Sequence, residues 1–209
     1  MALITKHKYQ DKIKKFAKVL DSGIRPAEFN RAYAYVQDKV SGFYRSENEA
    51  LWEFLATHDI KSFVEIGRNL SGTLFMIGCA CRTLKEVLSI DINRYEPSDS
   101  AIERWFNKHD ISATIIEQDS TTFIPFGLYD AVLIDGDHKG EVVKKEIQIW
   151  KDRCKYLIFH DYADNGKNKH KRVFQDVVDE ITKAKEKYGW VQIGERGRSE
   201  VIFKTMNSI

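Results

Sequence analysis

Five times in this chain a run of apolar residues ends on a carboxylate or an imidazole. The runs are Phe63–Gly67 (FVEIG), Ser89–Ile92 (SIDI), Ala113–Ser120 (ATIIEQDS), Leu133–His138 (LIDGDH) and Phe159–Tyr162 (FHDY). Such groups accept hydrogen bonds from hydroxyls, hold hard cations through oxygen, or move protons. One acid after one strand is ordinary loop chemistry, but five in series predict a polar site along a single rim. Asp135 and Asp161 come from consecutive strands and would repel one another unless a cation or a proton lay between them. A divalent ion is one solution and His138 offers the other, since imidazole titrates near neutral pH and can take a proton from a hydroxyl. His160 reads as a structural histidine bonded at the sheet edge.

The stretch Lys61–Thr73, KSFVEIGRNLSGT, sets the frame for these groups. A short buried strand crosses a glycine turn and enters an apolar helix, which makes a ligand seat of exposed N–H groups with Glu65 as an acceptor and Gly67 leaving room beside the main chain. A phosphate loop of the P-loop type would need Lys directly after Gly72, where Thr73 stands. The dinucleotide pattern G-x-G-x-x-G fails as well, because Asn69 occupies its second glycine. Asp91, ending the next strand, is placed to accept both ribose hydroxyls of a nucleoside lying over this turn.

The elements that must position these residues follow from periodicity. Strands are predicted over 62–67, 86–92, 112–118, 129–135 and 155–160, and helices over 73–84, 98–109, 140–152 and 171–188. That alternation implies right-handed crossovers and a parallel sheet covered on both faces. Trp190–Gly194 and Glu200–Lys204, joined by a turn holding Gly197, predict a C-terminal hairpin that adds antiparallel strands. Ahead of the first strand, Ile13, Phe16, Ala17 and Leu20 recur at helical spacing, Pro26 opens a second helix, and Ser46-x-x-Glu49 looks like a capping box for a third. The fold expected is α/β, a Rossmann-like doubly wound sheet of seven strands, with residues 1–45 as a helical cap or lid and 46–209 as the main domain.

Composition narrows the function classes. The chain has 209 residues, 43% hydrophobic and 31% charged, enough for a true core. No apolar run reaches the length of a membrane span and the N-terminus lacks a signal-peptide core, so a cytoplasmic protein without a membrane partner is expected. Cys79, Cys81 and Cys154 sit in apolar contexts, without the spacing of a zinc site or a disulfide frame. Residues 1–45 hold ten Lys and Arg against four Asp and Glu, read as a solvated face or as a basic lid for an anionic substrate. Lys167, Lys169, Lys171 and Arg172 form a second basic stretch beside the rim, a solvated loop or a clamp on an anionic acceptor.

With these strand ends in place, the sequence resembles the small class I S-adenosylmethionine-dependent methyltransferases. In particular it is similar to an O-methyltransferase-like group with motifs of the type E-I-G, D, G-D-S, I-D-G-D-H and H-D-Y, over roughly residues 46–206. The resemblance implies S-adenosylmethionine as cofactor. Glu65, Gly67, Asn69, Ser71 and Gly72 would line its methionine end, Asp91 its ribose, and Asp119 with Ser120 its adenine, with Asp135 close by. It also implies transfer to a hydroxyl of a small or sugar-like acceptor, with His138, Asp135 and Asp161 as catalytic residues, and the basic segments would suit an anionic one. Some related enzymes hold Mg2+, and Asp135 and Asp161 match those ligand positions, while Tyr162 stands where a third ligand, usually Asn, would be. Ser71 replaces a glycine of the family pattern, and Gln118 replaces the glycine of G-D-S.

Three other readings compete. A nucleic-acid methyltransferase would account for the basic segments, but the three prolines, Pro26, Pro97 and Pro125, cannot form the Asn/Asp-Pro-Pro-aromatic tetrapeptide that binds a flipped base. A metal-dependent phosphohydrolase could use Asp135, His138, His160 and Asp161, but those enzymes usually mount His-Asp pairs on helices. A non-catalytic module that holds the nucleoside is compatible with the departures at Ser71 and Gln118.

Overall fold

In the computed structural model, which describes residues 2–37, 45–160, 162, 175–196 and 200–205, the chain forms one seven-stranded sheet flanked by helices. Strands β1 (Ser62–Ile66), β2 (Glu86–Asp91), β3 (Ser112–Glu117), β4 (Tyr129–Ile134) and β5 (Cys154–Phe159) pair in parallel. Strands β6 (Val191–Arg196) and β7 (Glu200–Lys204) form the antiparallel hairpin, and β7 joins the sheet against β5. The order is β3-β2-β1-β4-β5-β7-β6, so the chain reverses direction across the sheet between β1 and β4. In open sheets of this kind the crevice at such a reversal is where ligands bind. The expected α/β architecture is thus present, hairpin included. The turn holding Gly197 lies outside the described residues.

Alternating residues of the central strands feed two separate apolar layers. Phe63, Val87, Ala131, Leu133 and Ile158 point to one face, where α1 (Ala2–Asp21), α2 (Phe29–Val36), α3 (Arg45–Thr57), α4 (Gly72–Ala80) and α5 (Ser98–Lys108) cover them. Val64, Leu88, Val132, Ile134 and Phe159 point to the other, under α6 (Gly140–Trp150) and α7 (Gln175–Tyr188). Ile13, Phe16 and Leu20 of α1 and Val36 of α2 are buried in the same layer as Phe75 and Trp105. The segment expected to be a cap is therefore packed into the first layer.

Two helix boundaries depart from the sequence reading by three residues or more, and one strand carries an irregularity that the sequence did not show. Helix α2 starts at Phe29 and not at Pro26, whose carbonyl instead accepts from Arg82 Nη2 at 2.8 Å. Helix α4 ends at Ala80, short of the expected 84, because Arg25 takes its terminal carbonyls, Nε on Gly78 O at 2.8 Å and Nη2 on Cys81 O at 2.9 Å. On the outer strand β6, the register slips between Gln192 and Gly194, leaving one extra residue in a bulge.

Beneath the sheet, Asp130 pins three strand starts together. Its Oδ2 accepts from the N–H groups of Lys61 at 2.7 Å and Ser62 at 3.0 Å, and its Oδ1 takes Lys155 Nζ at 2.7 Å. Burial raises this carboxyl, but the Lys155 ammonium and the two N–H groups outweigh it and hold it below the usual range.

Candidate functional site

The opposite rim carries the candidate site, and the turn after β1 is its tightest part. Gly67 (φ +84°), Asn69 (φ +46°) and Ser71 (φ +63°) are all left-handed, a conformation that costs a side-chain-bearing residue of order 1–3 kcal/mol. A Cβ on Gly67 would lie 2.1 Å from the carbonyl oxygen of Asp135. The bare glycine thus lets the ends of β1 and β4 meet, a packing duty beyond the ligand access expected of it. Ser71, standing where the resemblance has glycine, keeps the glycine conformation, and Gly72 begins α4.

Arg68, absent from the sequence-level site, locks this turn in place. Its guanidinium forks onto Asp99, with Nε to Oδ1 at 3.0 Å and Nη2 to Oδ2 at 2.6 Å, both side chains having no exposed surface. It also donates to Ile116 O and Asn93 O. Ser98, at the start of the same helix, donates to Leu70 O at 3.0 Å. The first turn of α5 is thereby tied to the loop after β1 from both ends.

Asp91 closes the far side of this loop. Its Oδ2 accepts from Asn69 N–H at 3.1 Å and its Oδ1 from Asn93 N–H at 2.9 Å. Each carboxylate oxygen keeps a further lone pair, so Asp91 can hold the loop and two ligand hydroxyls at once. Glu65 is fully buried at the end of β1, with Oε2 accepting from Ser89 Oγ at 3.3 Å and Oε1 without a hydrogen-bond partner among the described residues. Burial first, and then the charges of Asp135 and Asp91, raise its carboxyl well above the ordinary range, while Arg68 opposes them. Ser71 Oγ is likewise buried without a partner among the described residues. Two orphaned polar atoms beside a strained turn fit a polar, cation-bearing ligand group such as an amino acid end, because buried polar groups are normally paired.

Further along the rim, Asp119 is exposed and caps a single 3-10 turn, Ser120–Thr122, by accepting from Thr121 N–H at 2.9 Å. The Thr121 hydroxyl and N–H hold its carboxyl below the usual range. Ser120 turns inward and donates to Glu146 Oε1 of α6 at 2.5 Å. Glu146 is fully buried, and burial pushes its carboxyl up to about 7. It too escaped the sequence reading, although a signal was there. Val143, Glu146, Ile147 and Trp150 form one i, i+3, i+4, i+7 stripe, so a carboxylate stands inside an apolar face.

Asp135, exposed His138 and His160 line one cleft with Gly136, Asp137, Val143, Phe159 and Val177. His160 Nδ1 lies 3.0 Å from Asp135 Oδ1, so this histidine faces the site as well as bonding in the sheet through its main-chain N–H to Ile134 O. Asp161 and the basic residues Lys167, Lys169, Lys171 and Arg172 lie outside the described residues. Among the described residues no group of three or more His, Cys, Asp and Glu could hold a metal ion. Asp135, the described member of the expected Mg2+ pair, is directed at His160.

No family model matches the sequence, and no curated protein does. Solved structures do match. A Staphylococcus aureus protein assigned as a caffeoyl-CoA O-methyltransferase superposes with a TM-score of 0.60 at 16% identity, over 92% of this chain and 98% of that one. The N-methyltransferase NodS of Bradyrhizobium japonicum WM9, solved with S-adenosyl-L-homocysteine, gives 0.55 at 11% identity over 92% and 99%. The small RNA methyltransferase HEN1 gives 0.59 at 14% identity over 78% of this chain, which spans only 25% of HEN1. The fold is that of the class I methyltransferases. Their acceptors differ in kind, so the shared architecture carries no acceptor with it.

Proposed function

We propose that this protein is an S-adenosylmethionine-dependent methyltransferase acting on a hydroxyl of a small, anionic or sugar-like acceptor. One observation carries the reading: at the crevice where the sheet reverses, Glu65 and Ser71 keep buried polar atoms without a hydrogen-bond partner among the described residues, while Asp91 can still accept on both carboxylate oxygens beside them. In this reading Glu65, Gly67, Asn69, Ser71 and Gly72 receive the amino acid end of the cofactor, Asp91 the ribose, and Ser120 with Asp119 the adenine. When bound, the cofactor supplies an electrophilic methyl group. Asp135, His138 and His160, which line one cleft, would hold the acceptor hydroxyl and orient its oxygen. His138, exposed at the mouth, would take the proton of that hydroxyl. His160 steadies the Asp135 carboxylate so that it can orient the acceptor's remaining hydroxyls.

Isothermal titration with S-adenosylmethionine and S-adenosylhomocysteine tests the cofactor half. Micromolar or tighter binding is expected, and Asp91→Ala should lose about 2 kcal/mol of it by removing the partner of two hydroxyls. An unchanged affinity in Asp91→Ala would contradict the ribose placement. Methyl transfer to a panel of hydroxyl-bearing sugars and acids, with and without chelator, tests the rest. Activity abolished by chelator and restored by Mg2+ would bring Asp161 in as a metal ligand beside Asp135.

A further inference from the structure

The side chain behind Ser120 has no part in the scheme above. Glu146 lies on α6, fully buried, with Oε1 on the Ser120 hydroxyl and Oε2 without a hydrogen-bond partner among the described residues. A hydroxyl has one proton to give and two lone pairs to offer. While Ser120 donates to Glu146, its oxygen can meet a ligand only as an acceptor.

We propose that Glu146 is a positioning residue that fixes Ser120 as a hydrogen-bond acceptor and thereby selects a base edge bearing an exocyclic amine over one bearing a carbonyl. The proposal rests on the cofactor reading given above, since it takes Ser120 to border the base. Adenine presents an amino group on that edge, whereas its deaminated counterpart, hypoxanthine, presents an oxygen that would confront another oxygen at Ser120. A site built to pair one polar group discriminates against the analogue that leaves the pairing unmade.

The surroundings of Glu146 set when this device works. The charged groups that face it are Asp137, from the loop after β4, and Asp119, from the turn after β3. Both are acidic, so both oppose ionisation along with burial, while the Ser120 hydroxyl favours it. With the carboxyl near pH 7, ionised Glu146 draws the Ser120 proton to itself. Protonated Glu146 can donate to Ser120 instead, freeing the hydroxyl proton to point at the ligand and removing the preference. The proposal therefore requires adenine-bearing ligands to bind more tightly as pH rises through 7, with release of a proton.

The test is calorimetry on the full chain with S-adenosylhomocysteine and S-inosylhomocysteine at pH 6 and pH 8, in buffers of differing ionisation enthalpy. For wild type, about a tenfold preference for the adenine ligand at pH 8 is expected, shrinking at pH 6, with proton release on binding near pH 7. Glu146→Gln should bind both ligands with a ratio that no longer changes with pH and with proton release reduced. The histidines of the cleft can add their own pH dependence, so the difference between wild type and variant is the readout. A pH-dependent ratio and proton release identical in Glu146→Gln would overturn the role of Glu146 and leave the cofactor reading standing. Wild type that binds neither ligand at either pH would overturn both. If Glu146→Gln lacks a cooperative melt, Ser120→Ala replaces it. That variant should lose the adenine preference at pH 8, and a preference retained without the hydroxyl would sink the proposal.

Discussion

Single side chains of the rim divide into those that act on a ligand and those that hold the actors. In the proposed reading His138 belongs to the first group, and His138→Ala should then reduce turnover about a hundredfold at unchanged cofactor affinity. Glu146 belongs to the second, and its burial makes a stability prediction independent of any ligand. A carboxyl raised to about 7 in the native state binds a proton there over a pH range in which the unfolded chain has already released it. Native stability contributed by this group is therefore greatest at low pH and falls between about pH 4.5 and 7. Glu146→Gln, which cannot ionise, should be more stable than wild type at pH 8 by about 2 kcal/mol, with the gap closing at pH 5, as read by urea denaturation at the two values. The acids at strand ends were legible because each closes an apolar run. The approach of His160 to Asp135 was not legible, because nothing in sequence shows which way an imidazole at a strand end turns. Arg68 left no trace at all, since its partner Asp99 is 31 residues away and only the folded loop joins them.

At the scale of elements, the turn after β1 and the start of α5 behave as one unit through Arg68, Asp99 and Ser98. Breaking a buried pair by removing one partner leaves a stranded charge, so Asp99→Ala should cost about 3–5 kcal/mol in chemical denaturation. Because the same guanidinium donates to Asn93 O, next to the Asp91 loop, that variant should also weaken cofactor binding, whereas a loss of stability alone would show the pair to be scaffold only. Strand positions were legible to within a residue or two because buried parallel strands are near-continuous apolar runs. The early end of α4 was not, because it depends on Arg25 reaching 53 residues along the chain to a helix that composition alone would have continued.

Across the whole molecule, the sheet separates two apolar layers, and the N-terminal helices complete the first of them. Large side chains such as Phe16, Ile13 and Leu20 each contribute about 1.5–3 kcal/mol by burial. Their sum rivals the whole net stability of an ordinary domain, about 5–15 kcal/mol. Truncation at Ser46 is accordingly expected to lose cooperative melting and cofactor binding together. Retained binding with turnover lost would instead establish residues 1–45 as a separable lid over the acceptor. The layered architecture was legible from the alternation of strands and helices, but the depth of α1 in the core was not, because the stripe of Ile13, Phe16, Ala17 and Leu20 shows that one helix face is covered without showing what covers it. The extra residue in β6 has a consequence for how many copies of the chain can coexist in solution. This strand pairs only with β7 among the described residues and shows solvent the side chains of Val191 and Ile193, 56% and 42% exposed. A straight edge of that kind is a template on which a second molecule can lay a strand. The bulge at Gln192–Gly194 interrupts the regular spacing of donors and acceptors and bends the edge, so intermolecular zippering at high concentration is blunted by one residue.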